Sequence, residues 1–466
     1  MLQKNTEIKD LIDSKTPFSL DRLNRKPVAE NLTRVIQSTK QPFVISIEAP
    51  WGWGKTTFIH MWKAYLENEG HSCLYFNAWE TDFSEDPLIA FIGEMDEHVN
   101  NIKLEKSQYE KLAKIWNKVK DISGEILKRT LPLAIQLATH GLLSAKSLEG
   151  LPEMSDEIAK FASDLAKERI NQYSQEKRGI NAFKEKLSEL VKIVTDSEKI
   201  KPPLIFFIDE MDRCRPDYAL ALLERIKHLF SVEGIVFILS IDRVQMSEVI
   251  KAIYGIEMKP EGYLRRFIDV NYSLQTLNCE GFSSLLFNKF NLSDIIADEN
   301  KQIKFREIFN TFAHSYKDSL RVQEQTFTDI NLILRSAPRI FHKFSNLVPL
   351  LVFLKHHESD LFQGLIEGNP NNQKILDIVK GLHSNSEWVR YNYPPFIEIH
   401  LKLGTISESE FISWINKVGV RYSGRKQPEA YNSLLVVHFQ ELGDFRRVDQ
   451  QHSPLNEFLK YLLFFS

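Results

Sequence analysis

The chain has 466 residues, with 59 Lys and Arg against 62 Asp and Glu and a formal net charge of -3. That length exceeds what one hydrophobic core usually serves and points to two or three domains. The near balance of charge excludes a protein that binds nucleic acid through its overall field, although a local basic patch stays open. The three cysteines, Cys73, Cys214 and Cys279, are widely spaced and form no Cys-x-x-Cys pair. They argue against a disulfide framework or a structural zinc and fit a reducing cytoplasm. The first residues lack the apolar centre of a signal peptide, and no run approaches the roughly 18 uninterrupted apolar residues of a membrane helix.

In chain order, Phe18-Ser-Leu-Asp-Arg-Leu-Asn-Arg25 leads into a helix expected from about Pro27 to Gln37, with Val28, Leu32, Val35 and Ile36 on one face. Phe43 to Ile47 is a β-branched and aromatic run of the kind that forms a buried parallel strand, and Thr56 to Tyr65 has helical apolar spacing. Between them lies Glu48-Ala-Pro-Trp-Gly-Trp-Gly-Lys-Thr-Thr57. A glycine-rich turn from a strand into a helix aims successive backbone N–H groups and a helix N-terminus at one spot, which suits a polyphosphate. Pro50, Trp51, Gly52, Trp53, Gly54, Lys55, Thr56 and Thr57 are the expected cradle. Lys55 would reach the β- and γ-phosphates, and the Thr56 hydroxyl would ligate Mg²⁺. The first glycine of the usual pattern is replaced by Ala49, so the strand must turn into the loop with a Cβ present.

Cys73-Leu-Tyr-Phe-Asn-Ala-Trp79 reads as a second strand; Trp79 is either core or, with Asn77, at the strand end near a ligand crevice. From about 83 to 201 no strand signal appears, and Lys, Glu, Leu, Ile and Ala dominate, so a helical insertion is expected there. Within it, Leu131 to Leu143 is apolar but interrupted by Gln136, Thr139 and His140, as in a buried helix or one that touches a membrane surface or a partner. Glu157 to Leu190 reads as a charged helical arm or hairpin.

Leu204-Ile-Phe-Phe-Ile-Asp-Glu-Met-Asp-Arg-Cys-Arg-Pro216 delivers Asp209 to the end of an apolar strand, followed at once by Glu210. Acids at the end of a strand buried on both faces need a reason. Placement of Mg²⁺ by Asp209 and activation of water by Glu210 as general base supply one, given the loop about 155 residues earlier. An amphipathic helix follows from Tyr218 to Phe230, and then a strand beginning at Gly234 that ends in Ser240-Ile-Asp-Arg243. Ser240 and Asp242 either sense the γ-phosphate or only cap the next helix. Arg265 and Arg266 precede a fifth apolar strand, where they are surface residues or an arginine finger for a neighbouring subunit.

Together, Asp21-Arg-Leu-Asn-Arg25, the loop Trp51 to Thr57, Phe76-Asn-Ala-Trp79, Asp209 to Pro216, Ser240 to Arg243 and Tyr263 to Arg266 resemble the KAP family of P-loop NTPases. The resemblance covers about residues 17–346 apart from the insertion, and the Asp-Arg-Cys-x-Pro extension is its most specific part. It implies an α/β P-loop NTPase of the additional-strand type, with a parallel five-stranded sheet in the order 5-1-4-3-2. It further implies ATP as the nucleotide, a role for Asp212 and Arg213 in tying the acid loop to the nucleotide site, and Arg339 as a second sensor over the nucleotide. Many members of the family carry transmembrane helices between the loop and the acid motif; this chain has a long helical insertion there without a convincing span, which leaves only peripheral membrane contact open. Soluble bacterial members are often associated with defence against phages or mobile elements.

The expected organisation is an NTPase domain from 1–82 and 201–346, the insertion at 83–200, and a mostly helical accessory domain at 347–466. Trp388 to Phe396 reads as an aromatic, proline-rich connection, and Val420 to Gln427 and Phe445 to Arg447 mix cations with aromatics as single-strand nucleic-acid surfaces do. His342, His356 and His357 lack the spaced partners of a metal site. Two functions stay open: a cytoplasmic, Mg²⁺-dependent ATPase acting as a switch or motor on a protein partner, a second copy of itself or nucleic acid, and a nucleotide-gated scaffold with little turnover.

Overall fold

The computed structural model describes residues 12–19, 21–39, 41–84, 86–102, 104–140, 177–196, 200–227, 231–274, 279–403 and 459. Five strands, β1 (Phe43–Glu48), β2 (His71–Asn77), β3 (Lys201–Asp209), β4 (Ile235–Ile241) and β5 (Val270–Ser273), form one parallel sheet in the order β2-β3-β4-β1-β5. Read from the other edge, this is the expected 5-1-4-3-2. Every residue of β4 and the last seven of β3 are buried, as strands covered on both faces must be. The fifth strand starts later and is more polar than the sequence reading has it. Phe267 and Ile268 are buried ahead of it, while Val270, Asn271 and Ser273 are exposed on an edge strand paired only with β1.

Chain clustering divides the molecule into two compact units, Met1–Asp21 with Arg25–Gln275, and Arg22–Asn24 with Thr276–Ser466. In the first, one face of the sheet is covered by helices Lys26–Ser38 and Lys55–Asn68. Ala29, Leu32, Ile36, Phe58 and Trp62 pack on Ile45, Ile205, Phe207 and Ile238. Val35, expected on that apolar face, is exposed; Ala29 and Thr33 are buried instead, and the Thr33 hydroxyl accepts a hydrogen bond from the Trp62 indole at 2.9 Å. The opposite face carries the described part of the long connection between β2 and β3. Helices Pro87–Asn101 and Lys106–His140 and the helical stretch 177–195 contribute Phe91, Met95, Leu112, Trp116, Leu187 and Val194 to one core with Leu74, Phe76, Phe206 and Phe237. These parts of the insertion are therefore a layer of the sheet unit, held by the same burial that holds the strands. The aromatic ladder Phe76, Phe91, Phe206, Phe237 meets edge-to-face, with centroids 5.3 to 5.9 Å apart.

Among the described residues no helix is long and apolar enough to cross a membrane. The backbone of 131–140 continues the helix Lys106–His140; the rest of the apolar run, residues 157–176 of the charged arm, and the aromatic-cationic stretches 420–427 and 445–447 lie outside the described residues.

The second unit is helical where described. Phe287, Phe305, Phe309, Phe312, Phe327 and Phe353 form its centre, with Phe309 and Phe327 only 4.3 Å apart between centroids. The segment expected as a proline-rich connection is instead two short helices, Glu387–Tyr391 and Tyr393–Leu403. Pro394 and Pro395 sit in the first turn of the second, where a missing N–H breaks no helical bond. Tyr393 is buried, its hydroxyl donating to the Asn346 carbonyl at 3.1 Å.

Phe207 on β3 is fully buried and meets Trp62 edge-on at 5.7 Å. Phe207→Ala is expected to destabilise the first unit by about 3 to 5 kcal/mol through lost burial and the cavity left behind. Urea unfolding followed by tryptophan fluorescence measures this, and a loss below about 1 kcal/mol would contradict the packing described.

Candidate nucleotide site

The pairing register brings four strand ends to one level. Asn77 lies opposite Asp209, Asp209 opposite Ser240, and Ser240 opposite Ile47, one turn before the loop. This is the carboxyl end of the sheet, where open α/β folds bind ligands.

The loop leaves β1 at Glu48 and enters its helix at Lys55. Gly52 and Gly54 have φ of 77° and 74°, the left-handed region that a Cβ disfavours, so glycine is required at both. Ala49 is buried, is not left-handed, and donates its N–H to the Ile241 carbonyl at 3.3 Å. The departure from the usual first glycine therefore introduces no backbone strain, and the extra methyl packs in the apolar layer beneath the loop. The buried Lys55 ammonium donates to the carbonyls of Ala49 at 2.6 Å and Pro50 at 3.4 Å. Burial pulls its pKa below the usual lysine value, against the pull of Asp212, Asp242 and Asp209. Pro50 and Trp51 are exposed, and Gly52, Trp53, Gly54, Thr56 and Thr57 are half-buried, so the loop presents an accessible rim above a buried cation.

On the acid side, Asp209 is fully buried at the end of β3; one carboxylate oxygen accepts from the Tyr75 hydroxyl at 3.2 Å and the other from the Glu210 N–H at 2.9 Å. Glu210 follows in the left-handed region with φ 60°. For a residue other than glycine that conformation costs free energy and turns the chain sharply, lifting the side chain away from the strand direction. Its carboxylate pairs with Arg213 at 2.8 Å. Burial raises the Glu210 pKa, Arg213 opposes that shift, and Asp209 and Asp212 add to it. The buried Asp212 accepts the Trp51 indole N–H, and burial pushes its carboxyl up while Trp51 and Lys55 draw it down.

Asp242 caps the helix that follows and also holds the phosphate loop. One oxygen caps helix Arg243–Tyr254 by accepting from Val244 N at 3.0 Å and Gln245 N at 3.3 Å, and the other accepts the loop N–H of Trp51 at 3.0 Å. Ser240 is fully buried and its hydroxyl has no hydrogen-bond partner, a cost that a ligand or water can remove.

Residues 25–351, well over half of the chain, match the KAP family P-loop domain. The chain belongs to the KAP family of P-loop NTPases. No curated protein matches the sequence.

Three arginines singled out by the sequence remain, Arg265 and Arg266 as a finger for a neighbouring subunit and Arg339 as a second sensor. Arg265 and Arg266 are exposed and come before β5, whose first residue pairs with Ile45 near the start of β1. They lie at the end of the sheet away from the loop, roughly 20 Å along β1 at about 3.3 Å per residue, so they are not part of this chain's own constellation. Arg339 is exposed and opens the 3₁₀ helix Arg339–Leu347 in the second unit.

Sequence reasoning passed over Arg25 as a site residue, although it stands in the Asp21 to Arg25 motif. Its guanidinium is buried and donates to the carbonyls of Gly54 at 3.0 Å and Trp53 at 2.7 Å, while its own N–H donates to Asp21 at 2.6 Å. Burial lowers its pKa to about 10, with Asp21 opposing. A buried cation that satisfies the carbonyls of Trp53 and Gly54 fixes the orientation of their peptides in the loop. The available signal was an arginine fixed just ahead of a helix that packs beside the loop.

Arg25→Ala strands those two carbonyls, so nucleotide affinity is expected to fall about tenfold while the sheet stays folded. Fluorescent-nucleotide titration alongside circular dichroism tests this; unchanged affinity would show that the loop holds its shape unaided.

Proposed function

We propose that this chain binds ATP with Mg²⁺ at the Lys55 loop and hydrolyses it, using the cycle as a switch or motor on a protein partner or on further copies of itself. The observation that carries the reading is Glu210. A carboxylate directly after the buried Asp209, in a strained backbone conformation and with its pKa raised by burial, suits a general base.

The residues fit the group this chemistry needs. The Thr56 hydroxyl and the Asp209 carboxylate are hard oxygen donors of the kind Mg²⁺ prefers, and Mg²⁺ normally takes few protein ligands and keeps water and phosphate oxygens. Among the described residues no cluster of three or more His, Cys, Asp or Glu could hold a metal unaided, consistent with a shell shared with phosphates. Bound there, Mg²⁺ supplies charge neutralisation at the β- and γ-phosphates. Lys55 exchanges the carbonyls of Ala49 and Pro50 for phosphate oxygens, which relieves the cost of its burial. The N–H groups around Gly52 and Gly54 hold the phosphate chain. Glu210 takes the proton of the attacking water, and the Ser240 hydroxyl, buried without a partner, orients that water or the γ-phosphate.

Arg265 or Arg266 acts only between chains in this reading, because both stand at the far end of their own sheet. The second unit, the insertion and the C-terminal region transmit the cycle, in a cytoplasmic defence or regulatory complex. A scaffold with low intrinsic turnover is the second reading, favoured by the ion pair that engages Glu210 with Arg213 at 2.8 Å. Nucleic acid as the partner rests on residues 420–427 and 445–447 alone.

Steady-state ATP hydrolysis is expected to disappear in Lys55→Ala together with nucleotide binding. In Glu210→Gln turnover is expected to fall by about 10² to 10⁴ with binding retained. Wild-type turnover in Glu210→Gln would remove the base assignment, and binding without turnover in the wild-type chain under all conditions would favour the scaffold. If an arginine acts in trans, specific activity of the wild type rises with protein concentration and Arg265→Ala or Arg266→Ala abolishes the rise; a concentration-independent monomer activity would refute it.

A further inference from the structure

Arg213 stands where three parts of the site meet. Its guanidinium pairs with Glu210 at 2.8 Å, and its carbon centre lies 6.0 Å from the Trp51 ring centroid and 5.9 Å from that of Trp79. Trp51 belongs to the phosphate loop and Trp79 to the turn after β2, and both are unusually exposed for tryptophan, at 41% and 51%. The Trp51 ring is tied down by its indole, which donates to Asp212, and the Trp51 backbone N–H donates to Asp242; the Trp79 backbone N–H donates to the Asn77 side chain at 3.1 Å, which fixes the turn that carries that ring. Two large apolar rings left in solvent, each within cation–π reach of the same guanidinium, have in that cation a reason for their exposure.

We propose that Trp51 and Trp79 clamp Arg213 so that it positions the Glu210 carboxylate, making Arg213 and Trp79 positioning residues for hydrolysis. Because one plate of the clamp is a loop residue, a phosphate chain that moves Trp51 moves Arg213 and resets Glu210. Nucleotide occupancy is thereby linked to the base without a separate sensor. The inference rests on Glu210 being the base.

Lysine in place of Arg213 keeps a positive charge beside Glu210 but supplies neither the planar fork nor the stacking surface, so it separates positioning from charge alone.

The experiment compares wild type, Trp79→Ala, Arg213→Gln, Arg213→Lys and Glu210→Gln for ATP affinity and kcat. Trp79 is half exposed, so its alanine variant keeps the fold even where an Arg213 variant does not. Expected are ATP affinity within about threefold of wild type in all, and kcat lowered on the order of tenfold or more in Trp79→Ala and Arg213→Gln. In Arg213→Lys kcat is expected to recover only in part, because the charge returns without the fork. Wild-type kcat in Trp79→Ala or in a folded Arg213→Gln, or a loss of ATP affinity that accounts for the loss of kcat, overturns the proposal. If Glu210→Gln is inactive while those variants match wild type, the clamp fails and the base stands; if Glu210→Gln turns over normally, the base assignment fails and the clamp with it.

Discussion

A lysine ammonium taken out of water must be given acceptors, and the candidate site is arranged around that requirement. Lys55 is buried beneath its loop, so two carbonyls of the loop bend to it, and three aspartates from the ends of β3 and β4 gather within its field. Those aspartates also need partners, and each finds them in the parts that must be aligned. Asp242 holds the loop N–H of Trp51, Asp212 holds the indole of the same residue, and Asp209 holds the Tyr75 hydroxyl from the neighbouring strand. The buried charge thus fixes the loop, the acid turn and the cap after β4 relative to one another before any phosphate arrives. Arg25 supplies the same service from the other side, satisfying the carbonyls of Trp53 and Gly54 so that their peptides do not rotate.

Such a web is costly to build and explains the strain beside it. Glu210 accepts a left-handed backbone, and Ser240 a partnerless hydroxyl, in the middle of an otherwise well-packed sheet. A sequence optimised only for stability would place glycine or asparagine at the first and alanine at the second. Both departures occur at strand ends that the register brings level, which is where binding energy from a ligand can compensate for them.

The sheet was legible because its signal is local. Apolar runs of five to seven residues ending in Asp209 or Ser240 announce buried parallel strands, and the loop announces the turn between the first of them and its helix. What escaped was set by partners distant in sequence. Nothing near Arg25 says that its guanidinium ends on carbonyls 28 and 29 residues later. Val35 has the right spacing to be buried, yet the sheet needs the small Ala29 and the hydroxyl of Thr33 under Trp62. The fifth strand was misplaced because Phe267 and Ile268 are apolar for the core they enter before pairing begins, while an edge strand may be polar. Around Pro394 the two prolines read as a break, but at the first turn of a helix they are starters.

The location of Arg265 and Arg266 constrains any assembly more than it constrains the chain itself. They lie before β5 at one end of the sheet, and the loop follows β1 at the other. A contact that brings the arginines of one copy to the loop of the next joins unlike surfaces, so it is heterologous, and each copy still offers a free loop and a free arginine pair. Such contacts either close into a ring or continue as a filament; a symmetric pair closes only if both ends meet at once. The exposed Ile253, Tyr254 and Ile256 strengthen the argument, because the helix that carries the first two starts at Asp242 beside the loop and runs back along the sheet, delivering apolar surface to the same end as the arginines. Arginines and apolar side chains exposed at one end, and the exposed rings of Trp51 and Trp79 at the other, are surfaces of different chemistry, which is what a directional contact joins.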